Sequence, residues 1–482
     1  MRSWTKGCVS GLLATALAAV PAFAQATELI EAVRSRDVAA VRSLIGQQVD
    51  VDAAQGDGAT ALHWAAHLND VDTAGLLIDA GARVNAANDY GATPLWLAAQ
   101  NGSLPMVERL LAAKADPNVA FPSGETPLMT AAQGGRADVV KALLDGGAQV
   151  DAIESNMGQT ALMWAVAEGH DDVVRVLVDH GASVTATSTS GFTPYLFAAR
   201  AGDIPTAQYL ASRGADPKGT TEDGTTALHV AVVRGHLPFA KYLLGLGLDP
   251  NASGPGYTVL HWAVGTWESI FTHEYLFSPD ASTQEKEWSV LGGVPGFEAK
   301  VDLIKTLLAA GADINARVQR PPPRFGGSIF PANYLVGGTP FFVATVAADV
   351  PVMKLLLSAG ADPMVGAKDG TTPLIAAAGI ARVDSETVIP EERLLEAMQI
   401  CLDLGHEVNA ANTAGNTAMH AAALQGLDSV AKFLYDHGAE VNPRNEKGET
   451  PYKITLGYQS AGMVYLRPST AAVLKALGGV VE

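Results

Sequence analysis

The chain has 482 residues, of which 48% are hydrophobic and 17% are charged, and its formal net charge is −18 at pH 7. This composition excludes an intrinsically disordered chain, because it supplies enough apolar surface for a packed core. The negative charge disfavours binding to nucleic acid phosphates and favours a basic or neutral protein partner.

The first 24 residues are predicted to be a signal peptide. Arg2 and Lys6 precede a short apolar run, and the sequence AFA at 22–24 follows it. A basic start, an apolar core and an A-x-A site are typical of a cleaved export signal. A membrane anchor is the alternative, but the apolar run is short for a span. We therefore expect cleavage before Gln25, export to the periplasm or out of the cell, and no membrane span in the mature chain.

Glycines recur at a fixed interval along the rest of the chain. Eight of the ten steps between successive glycines of this set lie within one residue of 33. The set is Gly58, Gly91, Gly124, Gly158, Gly191, Gly224, Gly256, Gly337, Gly370, Gly415 and Gly448. Such a period predicts an array of identical structural units.

One unit can be interpreted from its residues. In GATPLWLAAQNGSLPMVERLLAAKADPNVA, Gly91 permits a tight turn, Thr93 can cap a helix and Pro94 suits its first position. Apolar residues at helical spacing follow, then a short break and a second amphipathic stretch. The predicted unit is therefore helix, turn, helix and hairpin finger. A single unit cannot bury its apolar face, whereas stacked units share a continuous core.

The first helix of each unit begins with a related heptapeptide. The copies are TALHWAA, TPLWLAA, TPLMTAA, TALMWAV, TPYLFAA, TALHVAV, TVLHWAV, TPFFVAT, TPLIAAA and TAMHAAA. The units end in variants of GADINA. With a 33-residue period, these motifs resemble the ankyrin repeat.

The resemblance implies an all-α fold, an ankyrin-type α-solenoid of about eleven helix-turn-helix-hairpin repeats with insertions in repeats seven to nine. The predicted divisions are a signal peptide (1–24), a degenerate N-terminal capping repeat (25–57), regular repeats (58–255), repeats with insertions (256–414), and a final repeat with its C-terminal cap (415–482).

Two insertions, 267–299 and 318–336, leave alternatives open. The first is rich in aromatic and acidic residues, and the second carries a run of three prolines. Long loops of this kind are functional or pack as structural cover. They could contact a partner, or they could build an enzyme or small-ligand site around His273, Glu274 and Trp288.

The sequence predicts no catalytic site, cofactor or metal. Four histidines, His63, His229, His261 and His420, occupy the fourth position of the heptapeptide, where the ankyrin resemblance implies hydrogen bonds to neighbouring turns. No zinc, haem, phosphate-loop or nucleophile motif is present. Cys401, the one cysteine after residue 24, replaces a leucine of a second helix, so we expect it to be buried.

The resemblance implies a non-catalytic scaffold that binds another protein on the concave surface. Aromatic residues at the fifth heptapeptide position, Trp64, Trp164, Phe197 and Trp262, either pack between helices or anchor a partner there. Finger and first-helix positions expected to contact the partner are Asp89, Tyr90, Gln100, Asn101, Ser123, Glu125, Gln133, Met157, Gln159, Glu168, Phe192, Arg200, Asp223 and Arg234.

Overall fold

A computed structural model describes residues 27–265, 296–320, 333–380, 389–460 and 463–481. It divides into two compact units, Met1–Asp216 (unit 1) and Pro217–Glu482 (unit 2). In the described parts of both units, nearly all of the regular secondary structure is short paired helices, which confirms the all-α prediction.

Unit 1 begins with a helix over residues 27–34 and continues as helix pairs. Its later first helices are Ala61–His67, Pro94–Gln100, Pro127–Gln133, Ala161–Ala167 and Pro194–Ala201. Its second helices are Val38–Gly46, Val71–Asp79, Leu104–Ala112, Ala137–Asp145, Asp171–Asp179 and Ile204–Ser212.

Unit 2 repeats the same alternation. Its first helices are Ala227–Val233, Val259–Val264, Pro340–Val346, Pro373–Ala377, Ala418–Gln425 and Pro451–Thr455. Its second helices are Leu237–Gly245, Phe297–Ala309, Val350–Ser358, Glu391–Asp403, Asp428–Asp436 and Pro468–Ala476, and a 3-10 turn covers Asn333–Leu335.

The C-terminal repeat contains a small hairpin that the sequence analysis missed. Strands Tyr458–Ser460 and Met463–Tyr465 pair antiparallel, with Tyr458 opposite Tyr465. Strands of three residues are too short to show the alternation of polar and apolar residues by which strands are predicted.

Threonine and proline start the first helices as predicted. The Thr93 hydroxyl oxygen accepts a hydrogen bond from the Trp96 backbone N–H at 3.2 Å, and Pro94 occupies the first helical turn. Thr126 makes the same bond to the Met129 N–H at 3.3 Å. These caps satisfy amide donors that a helix start otherwise leaves unpaired.

First helices stack on first helices within each unit. In unit 1 each first helix from Ala61–His67 onward contacts its successor. In unit 2, Val259–Val264 contacts Pro340–Val346 although the first two insertions separate them in sequence. The insertions therefore leave the stack of first helices in unit 2 uninterrupted.

A little-exposed ion pair joins described residues near the first insertion to the next repeat. Lys300 Nζ donates to Asp349 Oδ2 at 2.7 Å and to the Gly265 carbonyl at 3.1 Å. The two charged side chains are only 13% and 9% exposed, and Asp349 also caps the helix Val350–Ser358. Lys300 thus joins the described residues on both sides of that insertion to the following helix pair.

Asparagines at the base of the fingers link successive repeats. The Asn118 side chain donates to the Gly147 carbonyl at 3.1 Å and accepts from the Gln149 N–H at 2.7 Å. The same two-bond bridge is made by Asn85, Asn251, Asn409 and Asn442. Each bridge satisfies one carbonyl and one amide of the neighbouring turn.

We expect a chain lacking residues 124–157 to fold as a shorter array. The deletion removes one period and joins Ser123 to Gly158, which follow each other in register because both lie at the tip of a finger. Since each repeat packs against its neighbours, the remaining repeats can close the gap. Circular dichroism should show unchanged helical content per residue and a cooperative thermal transition.

A half-period deletion provides the control. Removing 124–140 joins a finger to the middle of a second helix, so the cooperative transition should be lost. If the full-period deletion unfolds the chain as completely as the half-period deletion, the stacked-repeat architecture is contradicted.

Candidate partner-binding surface

The signature histidines are structural bridges between repeats. The Thr60 backbone N–H donates to His63 Nδ1 at 3.1 Å, so in the neutral ring Nε2 carries the proton. That Nε2–H donates to the Ala92 carbonyl of the next repeat at 3.0 Å. Equivalent bonds join His229 to Tyr257 (3.1 Å), His261 to Ala316 (3.0 Å) and His420 to Glu449 (3.1 Å). The prediction that these histidines bond to neighbouring turns is confirmed.

Burial keeps these four imidazoles neutral. The loss of hydration lowers the pKa of His63 and His420, and it lowers the pKa of His229 and His261 to about 4. Both ring nitrogens are already hydrogen-bonded, so they are poorly placed to bind a metal or to move a substrate proton. Among the described residues, no group of His, Cys, Asp or Glu side chains could hold a metal ion.

Cys401 is buried as predicted, and burial raises the pKa of its thiol to about 12. It is therefore a protonated core residue at neutral pH and not a reactive thiolate. The insertion-based alternative, with His273 and Glu274, falls largely outside the described residues and stays a prediction.

Six of the predicted contact residues of unit 1 are exposed. They are Asp89, Tyr90, Gln100, Asn101, Gln133 and Glu168. The Tyr90 side chain, at a finger tip, is 70% exposed, which is unusual for a large aromatic ring. Ser123, Glu125, Met157 and Gln159 are half-buried in the fingers, and Glu125 accepts a hydrogen bond from Thr130 at 2.9 Å.

Two predicted contact residues have structural partners in unit 1. The Asn101 side chain donates to the carbonyls of Ala66 and His67 at 3.1 and 2.8 Å, at the end of the preceding first helix. Phe192 is 2% exposed and packs edge-on against Phe197 with ring centroids 5.8 Å apart. Burial leaves Phe192 little surface to offer a partner, whereas Asn101 is still exposed.

The remaining candidates carry charge. The Arg200 guanidinium lies 5.9 Å from the Phe197 ring in unit 1. In unit 2, Asp223 is exposed and accepts from the Thr225 N–H at 3.0 Å, and Arg234 is half-buried. The contact roles of all these residues stay predictions.

The four aromatic residues at the fifth heptapeptide position fall into two classes. Phe197 and Trp262 are each 1% exposed, so they pack between helices. Trp64 and Trp164 are half-buried and keep part of their rings at the surface of unit 1. Packing between helices is therefore observed for Phe197 and Trp262, and a partner-anchoring role for the other two rings stays a prediction.

The first repeats of unit 1 share a charge pattern. We call the fingers and first helices of repeats one to four, residues 53–69, 86–101, 119–134 and 152–168, the finger face of unit 1. It contains the acidic residues Asp57, Asp89, Glu125, Glu154 and Glu168 and no lysine or arginine. Glu154 is 5% exposed, and its carboxylate accepts from the backbone N–H groups of Asn156, Met157 and Gln159, so the other four acids are the ones at the surface.

The comparison with protein families agrees with this architecture. A family model described as ankyrin repeats (3 copies) matches residues 29–121, 100–188, 195–287 and 341–445. The chain belongs to the ankyrin-repeat family. Ankyrin repeats generally mediate interactions between proteins.

Two curated proteins resemble parts of this ankyrin-repeat protein. Mitochondrial disaggregase of Bos taurus is 29% identical over 205 residues, which cover 42% of this chain and 24% of the relative. Serine/threonine-protein kinase 12 of Arabidopsis thaliana is 33% identical over 70 residues, covering 14% of this chain and 15% of the relative. The chain thus spans about a quarter or less of these relatives, and the activities in their names belong to those proteins.

No helix in the described part of this ankyrin-repeat protein is long and apolar enough to cross a membrane.

Proposed function

We propose that the chain is a non-catalytic protein–protein interaction scaffold that binds its partner on the concave ankyrin surface. The observation that carries this proposal is the finger face of unit 1, where four carboxylates at the surface occur without any lysine or arginine. Exposed Tyr90 and the half-buried ring of Trp164 accompany them. Aromatic anchors within a surface of one charge favour a protein partner of complementary, basic character.

We expect the variant Asp89→Asn/Tyr90→Ala/Glu168→Gln to lose about tenfold or more in affinity for the partner, since it removes two charges and an exposed ring. The measurement is quantitative capture of binding proteins from a cell-envelope fraction by the mature chain. The control Asp72→Asn/Glu108→Gln removes two exposed acids of second helices and should capture as the parent does. Equal capture by all three proteins would place binding elsewhere.

We also infer export. The support is the basic, apolar and A-x-A pattern of residues 1–24, which lie outside the described residues. We expect mass spectrometry of the protein from its native host to show an N-terminus at Gln25 in the periplasm or the medium. Recovery only from the cytosol, or with an intact Met1, would be incompatible with this inference.

A further inference from the structure

The first repeats of unit 1 show an arginine stacked on a tryptophan of the next repeat. The guanidinium carbon of Arg34 lies 4.7 Å from the centroid of the Trp64 ring. Arg34 stands seven residues after Thr27, which occupies the place of the heptapeptide threonine, and Trp64 stands four residues after Thr60. The residue seven places after the threonine of one repeat thus lies over the fifth heptapeptide residue of the following repeat.

Trp164 occupies the same position as Trp64 but lacks such a cation. It stands four residues after Thr160. In the preceding repeat, the residue seven places after the threonine is Gln133, which is exposed and uncharged. The two first helices, Pro127–Gln133 and Ala161–Ala167, contact each other as the equivalent helices do elsewhere in unit 1. Among the residues that the structure describes, no guanidinium or ammonium group lies over Trp164.

The indole N–H of Trp164 distinguishes this ring further. Trp64 Nε1 donates to the Gln55 side chain at 3.2 Å. Trp164 Nε1 has no hydrogen-bond partner in the described part of the chain, yet it is not a buried atom. The half-buried Trp164 therefore keeps part of its ring and an unpaired donor accessible.

The charged residue nearest Trp164 along its own helix is acidic. Glu168 is exposed one helical turn further on, and its N–H donates to the Trp164 carbonyl at 3.1 Å. Residues one turn apart on a helix lie on the same side. The next first helix, Pro194–Ala201, contributes Arg200, whose guanidinium lies 5.9 Å from the Phe197 ring. A cation at the Trp164 ring would meet the indole and the Glu168 carboxylate at once.

We propose that Trp164 and Glu168 form a site for an arginine or lysine side chain of an extended basic polypeptide, the partner inferred above. The partner's cation would occupy the place over Trp164 that Arg34 takes over Trp64. A backbone carbonyl of the same segment would accept the free Nε1–H. This inference rests on the proposed function and identifies the class of partner and its point of attachment.

The site can be tested by substitution, because an arginine at residue 133 of the same chain can be placed over the Trp164 ring. Gln133→Arg restores the residue type that covers Trp64 and should block the site while leaving the core intact, since Gln133 is exposed. Gln100→Arg adds the same charge one repeat earlier. There the fifth heptapeptide residue of the following repeat is Thr130, which carries no ring. Trp164→Leu removes the ring.

The probe is a fluorescein-labelled nonapeptide of alternating arginine and leucine, measured by fluorescence anisotropy, with a glutamate–leucine peptide as its reference. We expect Gln133→Arg and Trp164→Leu to weaken binding about 3- to 30-fold relative to Gln100→Arg, as the loss of one cation–π contact predicts. The glutamate peptide should not bind. Circular dichroism establishes that each variant is folded.

The outcomes separate this inference from the proposed function. If Gln133→Arg and Gln100→Arg reduce binding of the arginine peptide equally, the Trp164 site is overturned. A basic partner on the finger face would still be supported. No binding of the arginine peptide by the parent protein would overturn the basic-polypeptide inference. Capture that depends on Asp89, Tyr90 and Glu168 would then still support the scaffold proposal.

Discussion

Acidification from pH 7 to pH 4.5 should strongly destabilise unit 2. The folded-state pKa of His229 and His261 is about 4, below the value of about 6.5 for an exposed histidine. Between these two pKa values the unfolded chain therefore binds protons at these histidines that the folded chain does not bind. Stability is complete above about pH 6.5 and is lost as the pH falls toward 4, by about 1.4 kcal/mol per unit for each histidine.

Urea unfolding at several pH values measures this loss, which should reach about 5 kcal/mol for the two histidines at pH 4.5. The chain offers its own control substitution, because Met129 and Met163 occupy the histidine position in repeats three and four. His229→Met/His261→Met should flatten the pH dependence between 6.5 and 4.5. If the stability of the parent protein depends on pH no more steeply than that of this double variant, groups other than these two histidines dominate the pH dependence.

The sequence predicted the repeat architecture well, because each turn requires a backbone conformation that few residues adopt. Gly91 and Gly124 have φ angles of 91° and 82°, where glycine is favoured. Threonine caps and apolar spacing then place the first helices. Such local requirements recur in every copy, so the period could be found without any tertiary information.

Contacts between repeats were harder to predict because they depend on which positions face each other. Nothing local in the sequence indicates that Arg34 covers Trp64, since thirty residues separate them. The Lys300–Asp349 pair likewise joins residues on two sides of an insertion. These interactions become visible only when repeats are placed side by side.

One departure from the repeat pattern illustrates compensation between repeats. Met364 stands where other repeats place the bridging asparagine, and it cannot make that bridge. His406, which replaces the alanine of the next gly-ala turn, bonds through Nε2 to the Pro363 carbonyl at 3.1 Å. The sequence alone does not connect these two unusual residues, because the asparagine bridge itself was not predicted.

The replacement Leu162→Ala should lower the free energy of unfolding by about 2–5 kcal/mol. Leu162 is 0% exposed, in the first helix Ala161–Ala167, which contacts first helices on both sides and its own second helix. Truncation leaves a cavity that a closely packed stack of short helices can fill only partly. Thermal or urea unfolding of the parent and the variant measures the effect.

Leu97→Ala is a matched control, because Leu97 lies on another first helix of unit 1 but is half-buried at the fifth heptapeptide position. Less apolar surface returns to water when it is truncated, so we expect a loss below about 1.5 kcal/mol. Equal effects of the two substitutions would contradict the assignment of Leu162 to the shared core.

The location of the damage from Leu162→Ala follows from the stacking. Because repeats contact mainly their neighbours, the cavity weakens the interfaces that Ala161–Ala167 makes with Pro127–Gln133 and Pro194–Ala201. Amide hydrogen exchange should therefore accelerate in these three helices first, and less in the helix Ala61–His67, two repeats further away than Pro127–Gln133. Uniform acceleration throughout unit 1 would instead mean that the unit opens as one cooperative body, with coupling between repeats stronger than nearest-neighbour packing provides.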